Sequence, residues 1–119
     1  MLFPICDNII GDKLMIDKKT KTFMKWFERL PFNVQLIVND YINRVLEGNT
    51  SNCRNLRQGI SELRIDYQKG YRVYYTVLRN NEILLLLVGG TKGGNQKQQQ
   101  QDIAKAIEIR DTLKSGGVI

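Results

Sequence analysis

The chain has 119 residues, of which 42% are hydrophobic and 25% are charged, and its formal net charge is +6. This length suits one small domain with a single core, and no apolar run approaches the roughly 20 residues that cross a membrane. The sequence contains no histidine, which excludes histidine metal sites, histidine-activated nucleophiles and the usual general base near pH 7. Any catalysis must therefore depend on arginine, lysine, tyrosine and carboxylate side chains.

The cysteines and the N-terminal segment indicate a cytoplasmic protein. Cys6 and Cys53 have neither the spacing of a metal site nor the pattern of a disulfide framework, so we expect reduced thiols. The first ten residues are apolar but contain Asp7, and they lack the basic leader and cleavage site of a signal peptide. No motif predicts a metal or another cofactor.

The N-terminal half predicts a short strand and two helices. A strand is expected over Leu14–Asp17, and the helical spacing of large apolar residues predicts a helix over Thr20–Leu30. Pro31 ends this helix and opens the next, in which an apolar stripe runs from Phe32 to Glu47. Gly48 follows as a helix stop, because glycine adopts the left-handed conformation at little cost. We expect both helices to pack on one face of a sheet.

The following segment begins with a polar loop over Asn49–Asn55 and continues with three strands. Residues 60–67 and 71–79 alternate between the two faces of a sheet. An Asn80–Asn81 turn leads to residues 82–90, whose run is too continuously apolar to alternate. Such a run is expected of a central strand that is covered on both sides.

A glycine-rich loop over residues 89–94 comes next, and a last helix extends from an Asn95 cap to about Lys114. The loop lacks the residue order of a phosphate-binding P-loop. We divide the chain into an N-terminal extension over residues 1–13, for which disorder is one interpretation, a folded domain over 14–114, and a flexible tail over 115–119.

Basic residues concentrate in the segment from Arg54 to Lys97, which holds eight lysines and arginines against three acids. A local positive excess of this kind indicates a polyanionic partner, most often nucleic acid. The two predicted hairpins present Arg64, Arg72 and Lys92 from neighbouring elements, with tyrosines between them. These three residues define the predicted site.

Three motifs, together with the element order β-α-α-β-β-β-α, resemble one family. They are KTFMKWFERLP in the first helix, SELRIDYQKGYRVYYT in the first hairpin, and LLLLVGGTKGGNQK followed by DIAKA after the last strand. Over residues 14–113 the chain resembles the RelE/ParE toxin superfamily, and within it the HigB-like addiction-module killer proteins. The resemblance implies an α+β fold with a mostly antiparallel sheet, two N-terminal helices packed on one face, and a C-terminal helix. Thr91 replaces the acid that is usual before the lysine, and additional glutamines precede DIAKA.

The resemblance implies the toxin of a type II toxin–antitoxin module, acting on mRNA as a ribosome-dependent endoribonuclease. RNA supplies its own nucleophile, the 2′-hydroxyl beside the scissile phosphate, so the protein has to orient the attack and stabilise the phosphorane. The implied partners are the ribosome, mRNA and a cognate helix-turn-helix antitoxin, which would connect the toxin indirectly to operator DNA. No membrane partner is expected.

The resemblance also assigns catalytic residues. Arg72 in the GYR motif matches the arginine that RelE-like enzymes use against the scissile phosphate. Arg64 on the preceding strand and Lys92 after the last strand match basic residues at neighbouring positions. Lys92 or Lys97 is the candidate general acid or base.

Three further residues are predicted to bind RNA: Lys97, Arg57 and Tyr74. The ring of Tyr74, like those of Tyr67 and Tyr71, is of a kind that stacks on a base. Purely structural roles for these residues stay open as well. Arg64 would then pair with Glu62 or Asp66 on its own strand, and the tyrosines would be half-buried strand residues.

Two other functions stay open as well. A ParE-like toxin of the same fold would inhibit DNA gyrase without being an enzyme, and such toxins usually lack these basic residues on the sheet. A degenerate toxin would bind RNA or an antitoxin and cleave nothing. The altered TKGGNQKQQQQ loop and the absence of any aromatic residue after Tyr75 keep that alternative open. Arg64, Arg72 and Lys92 together favour the nuclease.

Overall fold

The structure is a computed structural model that describes residues 15–91 and 96–119. These residues form three helices and five strands, in the order β1 (Ile16–Lys19), α1 (Lys21–Glu28), α2 (Phe32–Leu46), β2 (Cys53–Asn55), β3 (Ser61–Ile65), β4 (Tyr71–Leu78), β5 (Ile83–Thr91) and α3 (Gln96–Ser115). The strands form a single sheet in the order β1-β5-β4-β3-β2. The β1–β5 pair is parallel, and the other three pairs are antiparallel. The predicted α+β fold with a mostly antiparallel sheet is therefore confirmed.

The first two helices begin and end at residues that the sequence marks for this purpose. Thr20 caps α1, because its hydroxyl oxygen accepts a hydrogen bond from the Phe23 amide at 3.0 Å. The same hydroxyl donates to the Leu87 carbonyl at 2.7 Å, which ties the start of α1 to the sheet. Pro31 is the N-cap of α2, and Gly48 follows its C-terminus with a φ of +96°. The predicted first strand and the two predicted helices on either side of Pro31 therefore form, with ends shifted by at most a few residues.

Each face of the sheet has its own hydrophobic core. On one face α1 and α2 cover residues such as Leu63, Val73 and Leu86. On the other face α3 packs through Ile103 and Ala106 against a second cluster that includes Leu85, Leu87 and Tyr74. All six residues from Ile83 to Val88 are buried, as predicted for a central strand that is covered on both sides.

The prediction of a polar loop over Asn49–Asn55 is wrong for its last three residues. Cys53–Asn55 forms the edge strand β2, which pairs antiparallel with β3 so that Arg54 lies opposite Glu62. Three residues are too few to show a period-two pattern, and an edge strand of this length buries little apolar surface. Pairing with β3 is what makes this segment extended.

The prediction of a glycine-rich loop over residues 89–94 is wrong at its start, because β5 continues to Thr91. Gly89 and Gly90 leave room for side chains of other elements, and they do not form a turn. A Cβ at Gly89 would lie 2.0 Å from the Trp26 ring, and a Cβ at Gly90 would lie 2.6 Å from a carboxylate oxygen of Asp102. Glycine in a strand commonly marks such a close approach.

The predicted Asn80–Asn81 turn is confirmed by consecutive positive φ angles of 55° and 70°. Other predicted features lie at the limits of the described residues. Leu14, Lys92, Asn95 and residues 1–13 lie outside the described residues. At the C-terminus α3 ends at Ser115, and the Val118 amide then donates to the Leu113 carbonyl at 2.9 Å. Within the described part of the chain, none of the helices combines the length and the apolar character that a membrane span requires.

Candidate functional site

The β3–β4 hairpin places two of the predicted catalytic arginines side by side. Arg64 lies directly opposite Arg72 in the antiparallel register, so both side chains project from the same face of the sheet. Along β4 the alternation puts Tyr74 on this face too, next to a register irregularity between Tyr74 and Tyr75. Irregularities of this kind are frequent beside functional sites, where they redirect side chains.

The buried carboxylate of Glu62 contacts several residues around the arginine pair. Glu62 is 0% exposed, and its Oε1 lies 3.4 Å from Arg54 while its Oε2 lies 3.4 Å from the Nε of Arg72. Gln99 at the start of α3 donates a hydrogen bond to the same Oε2 at 2.9 Å. Because a buried carboxylate needs partners to offset its lost hydration, these three contacts connect β2, β4 and α3 through one side chain.

The two arginines present hydrogen-bond donors that are not satisfied. The Nε atoms of Arg64 and Arg72 are both buried, and neither makes a hydrogen bond to any described residue. Arg72 is ion-paired to Glu62 at a distance that is too long for a good hydrogen bond. Arg64 has no carboxylate within ion-pair distance among the described residues. Buried donors without acceptors are rare, and they fit a site that is completed by an anionic ligand.

Tyr74 lies against these charges and is held in the neutral form. It is 1% exposed, and the Arg72 guanidinium donates a hydrogen bond to its hydroxyl. Burial raises the pKa of Tyr74 to about 12, with a smaller contribution from the negative charges of Glu62 and Asp102, while Arg72 acts in the opposite direction. The hydroxyl therefore stays protonated at neutral pH.

Asp102 of α3 completes the cluster from above the sheet. Its carboxylate approaches β5 over Gly90, where no side chain intervenes. Burial raises the pKa of Asp102 above its ordinary value, whereas the hydrogen bond from Gln98 and the positive charge of Arg72 lower it. The net rise shows that lost hydration outweighs the attraction of Arg72.

The first turn of α3 makes hydrogen bonds with side chains that neighbour the arginine pair. Besides the contact from Gln99, Gln100 accepts a hydrogen bond from Arg57 at 2.8 Å. Lys97 on this turn is exposed. Of the predicted RNA-binding residues, Lys97 lies on the first turn of α3, and Arg57, between β2 and β3, contacts this turn through Gln100. Tyr74 is buried in the core beneath α3. Stacking a base on the Tyr74 ring would require α3 to move.

The structure thus brings together part of the predicted site and adds residues to it. Arg64 and Arg72 meet as predicted by strand alternation, and Lys92 lies outside the described residues. Glu62, expected as a partner of Arg64, instead contacts Arg54 and Arg72. Asp66 makes an interaction of its own.

Asp102 and Gln99 were not predicted as site residues. The DIAKA motif contains Asp102 and was the only available signal, but nothing in the sequence spacing placed it beside Arg72. Two carboxylates therefore face the arginine cluster, and the positive excess of the segment is partly neutralised where it is most concentrated.

Solved structures share this fold at low sequence identity. A mutant of the E. coli toxin RelE in its free state matches with a TM-score of 0.64 and 16% identity over 81% of this chain and 97% of that one. The toxin–antitoxin complex RelBE2 from Mycobacterium tuberculosis gives 0.56 and 14% identity, covering 67% of this chain and all of that one. The archaeal RelE–RelB complex from Pyrococcus horikoshii gives 0.56 and 16% identity, covering 70% and 100%. The fold is that of the RelE toxins, which confirms the predicted resemblance at the level of fold.

Sequence comparison identifies the family. Residues 25–111 match the family described as Phage derived protein Gp49-like (DUF891), and the chain belongs to that family. An uncharacterized protein from Haemophilus influenzae is 40% identical over 58 residues, which are 48% of this chain. The aligned region spans 59% of the length of that curated relative.

Proposed function

We propose that this protein is the toxin of a type II toxin–antitoxin module and that it cleaves mRNA on the ribosome. The observation that carries the proposal is the cross-strand pair Arg64 and Arg72, whose buried Nε donors lack acceptors among the described residues. Two adjacent guanidinium groups match the oxygens of a phosphate through bidentate hydrogen bonds. The RelE-like fold and the GYR motif support the same conclusion.

The chemistry requires little more than charge stabilisation and alignment. In the proposed reaction the 2′-hydroxyl of RNA attacks the adjacent phosphorus, and the bond to the 5′-oxygen of the next nucleotide breaks, leaving a 2′,3′-cyclic phosphate. Arg72 and Arg64 neutralise the additional charge on the phosphorane, which is the largest electrostatic demand of the step. Glu62 holds the guanidinium of Arg72 in place from the buried side.

Proton transfer needs groups that change protonation near neutral pH or donate in their neutral form. The Tyr74 hydroxyl, with a pKa of about 12, is a donor and not a base. We assign it the role of a hydrogen-bond donor to the phosphate once α3 has shifted. Lys92 follows β5 in the sequence, and we propose it as the general acid for the leaving 5′-oxygen. The proton of the attacking 2′-hydroxyl passes to a water molecule.

The partners follow from the same comparison. Two of the solved structures with this fold are complexes of RelE-type toxins with their antitoxins. We propose a cognate antitoxin for this chain, of the helix-turn-helix kind that accompanies HigB-like toxins, with operator DNA bound through the antitoxin. Ribosome and mRNA are the proposed target, and the proposed location is the cytoplasm.

One observation favours a second candidate. Arg72 has only 16% of its side chain exposed and is already paired with Glu62, so its charge is partly used within the protein. A ParE-like inhibitor of DNA gyrase, or a toxin that binds RNA without cutting it, would need no more than this. The gyrase inhibitor predicts that Arg64 and Arg72 are dispensable for the growth effect, whereas the RNA-binding toxin predicts that both are needed although no RNA is cut.

The test is translation in vitro with added protein, followed by primer extension to map new 5′ ends of the mRNA. The wild type is expected to produce cuts within ribosome-bound codons, and Arg64→Ala is expected to reduce cutting at least about 100-fold, as for loss of a phosphorane-stabilising group. Arg64 is the better first variant because it has no ion pair to lose among the described residues, and circular dichroism checks that the variant is folded. Arg72→Lys, which keeps the charge without the fork, separates bidentate binding from simple attraction.

Arg29→Ala is the matched control, because Arg29 is exposed at the end of α1 on the opposite side of the sheet. It should cut like the wild type. Full cutting by folded Arg64→Ala and Arg72→Lys would refute the assigned roles. The absence of any cut with folded wild-type protein would refute the ribonuclease, and gyrase supercoiling would then be assayed.

A further inference from the structure

An apolar cavity with lysines along its solvent side lies at the β1 edge of the sheet, beneath the C-terminal part of α3. Its volume is about 440 Å³, and small-molecule sites commonly have volumes of about 300–1,000 Å³. Five aliphatic side chains contribute to its wall: Leu85, Ile109, Leu113, Val118 and Ile119. Neither the predicted site nor the chemistry proposed above uses this cavity.

The cavity exists because α3 continues beyond the hydrophobic core that it covers. Ile103 and Ala106 are buried in that core. Ile109 and Leu113 follow on the same side of the helix but are only partly buried. Beneath them Leu85 of β5 closes the cavity towards the sheet. Aliphatic surface gains free energy when a nonpolar group removes it from water, so this space fits a hydrocarbon chain.

The charges around the cavity define the other end of a ligand. Among the described residues that line it, none is acidic and none is aromatic, so nothing there would bind a cation or stack on a nucleobase. Lys19 is ion-paired with Asp17 at 2.7 Å. Lys18 and Lys21 also line the cavity, are exposed, and make no ion pair with any described residue. Two uncompensated ammonium groups beside an aliphatic wall match an anionic head group.

We infer that this cavity binds an anionic amphiphile of the fatty-acid type, with its carboxylate beside Lys18 and Lys21 and its chain against Leu85, Ile109 and Leu113. A nucleotide or a free phosphate would leave the aliphatic wall uncovered, and an uncharged hydrocarbon would not use the lysines. The inference does not depend on the proposed ribonuclease function, because none of these residues belongs to the arginine cluster. It gives the protein a second ligand, of a chemical class unrelated to RNA.

The first test measures the binding of fatty-acid anions by isothermal titration calorimetry, at concentrations below those at which they form micelles. Octanoate, decanoate and laurate differ only in chain length. Each added methylene that leaves water should raise the affinity about threefold to fourfold until the cavity is full. Dodecyltrimethylammonium has the chain length of laurate and the opposite charge, so we expect it to bind roughly tenfold more weakly.

Substitutions separate the contribution of the head group from that of the chain. The double variant Lys18→Gln, Lys21→Gln should weaken laurate binding roughly tenfold and remove the preference for laurate over the cation. Its control is Lys25→Gln, at an exposed position of α1 that does not line the cavity. Leu113→Asn should weaken both ligands roughly tenfold, whereas Leu36→Asn, at a 53% exposed position of α2, should change neither. Circular dichroism checks that each variant is folded.

The second test locates the ligand by two-dimensional NMR of the amide groups. Laurate should shift the amides of Leu85, Ile109 and Leu113 in a saturable manner and leave those of Arg64 and Arg72 unchanged. Shifts at the two arginines instead would overturn the inference, since the carboxylate would then occupy the proposed phosphate site. Equal affinity for laurate and the cation, or the absence of saturable binding, would overturn it as well. So would cosedimentation with phosphatidylglycerol vesicles by a protein that binds no free laurate, because the lysines would then serve a membrane surface.

Discussion

Removal of the buried charge of Glu62 tests the core of the site. Glu62→Gln keeps the shape of the side chain and an oxygen that accepts from Gln99, but it removes the charge that faces Arg54 and Arg72. Loss of one partner of a buried ion pair costs about 3–5 kcal/mol, because the other charge stays behind without compensation. Arg72 retains 16% exposure and some hydration, so we expect a loss of unfolding free energy of about 2–3 kcal/mol.

The same reasoning predicts a small effect at the other partner. Arg54 has 58% of its side chain exposed, and exposed ion pairs contribute only about 0–1 kcal/mol. Arg54→Gln should therefore destabilise much less than Glu62→Gln. In the double variant Glu62→Leu, Arg72→Met both buried charges are replaced by apolar groups of similar size, and we expect a stability within about 1 kcal/mol of the wild type.

Urea unfolding followed by circular dichroism gives these free energies and the coupling between the two positions. The cycle compares the double variant with its two single variants, Glu62→Leu and Arg72→Met. Large losses in these single variants that disappear in the double variant would identify the burial of Glu62 and Arg72 as the cause. A loss below about 1 kcal/mol for Glu62→Gln, equal to that of Arg54→Gln, would refute the reasoning, since the pair would then behave as an exposed one.

Two further predictions concern the packing over β5 and the titration of α3. Gly89→Ala should lower the unfolding free energy by about 1–3 kcal/mol, because the added methyl would lie 2.0 Å from the Trp26 ring. The control is Gly116→Ala, whose added methyl would have its nearest neighbour at 3.4 Å, and it should change the unfolding free energy by less than about 0.5 kcal/mol. Equal effects of the two substitutions would contradict the assigned contact. Asp102 has a raised pKa in the folded state, so its contribution to stability is present below the ordinary value of 3.8 and is lost as the pH rises through the raised pKa. Asp102→Asn should accordingly gain stability relative to the wild type over that pH range in urea titrations, and a difference independent of pH would contradict the raised pKa.

The arginine pair could be predicted because strand alternation is a local property. The run ISELRIDY places Arg64 on one face, and the run YRVYYTVL places Arg72 on the face that meets it across a short turn. Both assignments follow from a period of two and from a turn at Gly70 with a φ of +87°. No contact with a distant part of the chain is needed to derive them.

The partners of the pair could not be predicted in the same way. Glu62 lies two residues before Arg64, on the same face of β3, and was expected to pair with it. The buried carboxylate of Glu62 instead lies between Arg54 and Arg72 on the two neighbouring strands. This arrangement depends on β2, which sequence periodicity missed because it is only three residues long. Asp102 approaches from another element altogether, through a space that exists only because Gly90 has no side chain.

The sequence by itself determined the features that depend on neighbours along the chain: the two amphipathic helices, the continuous apolar strand β5, the turn at Asn80–Asn81 and the shared face of Arg64 and Arg72. Only the tertiary structure decided which charges are buried and which remain available. Burial is set by elements that are far apart in sequence, as when α3 covers Tyr74 and Gln99 reaches Glu62. The carboxylates of Glu62 and Asp102 then partly neutralise a segment that is basic by composition, while Arg64 keeps an unsatisfied donor.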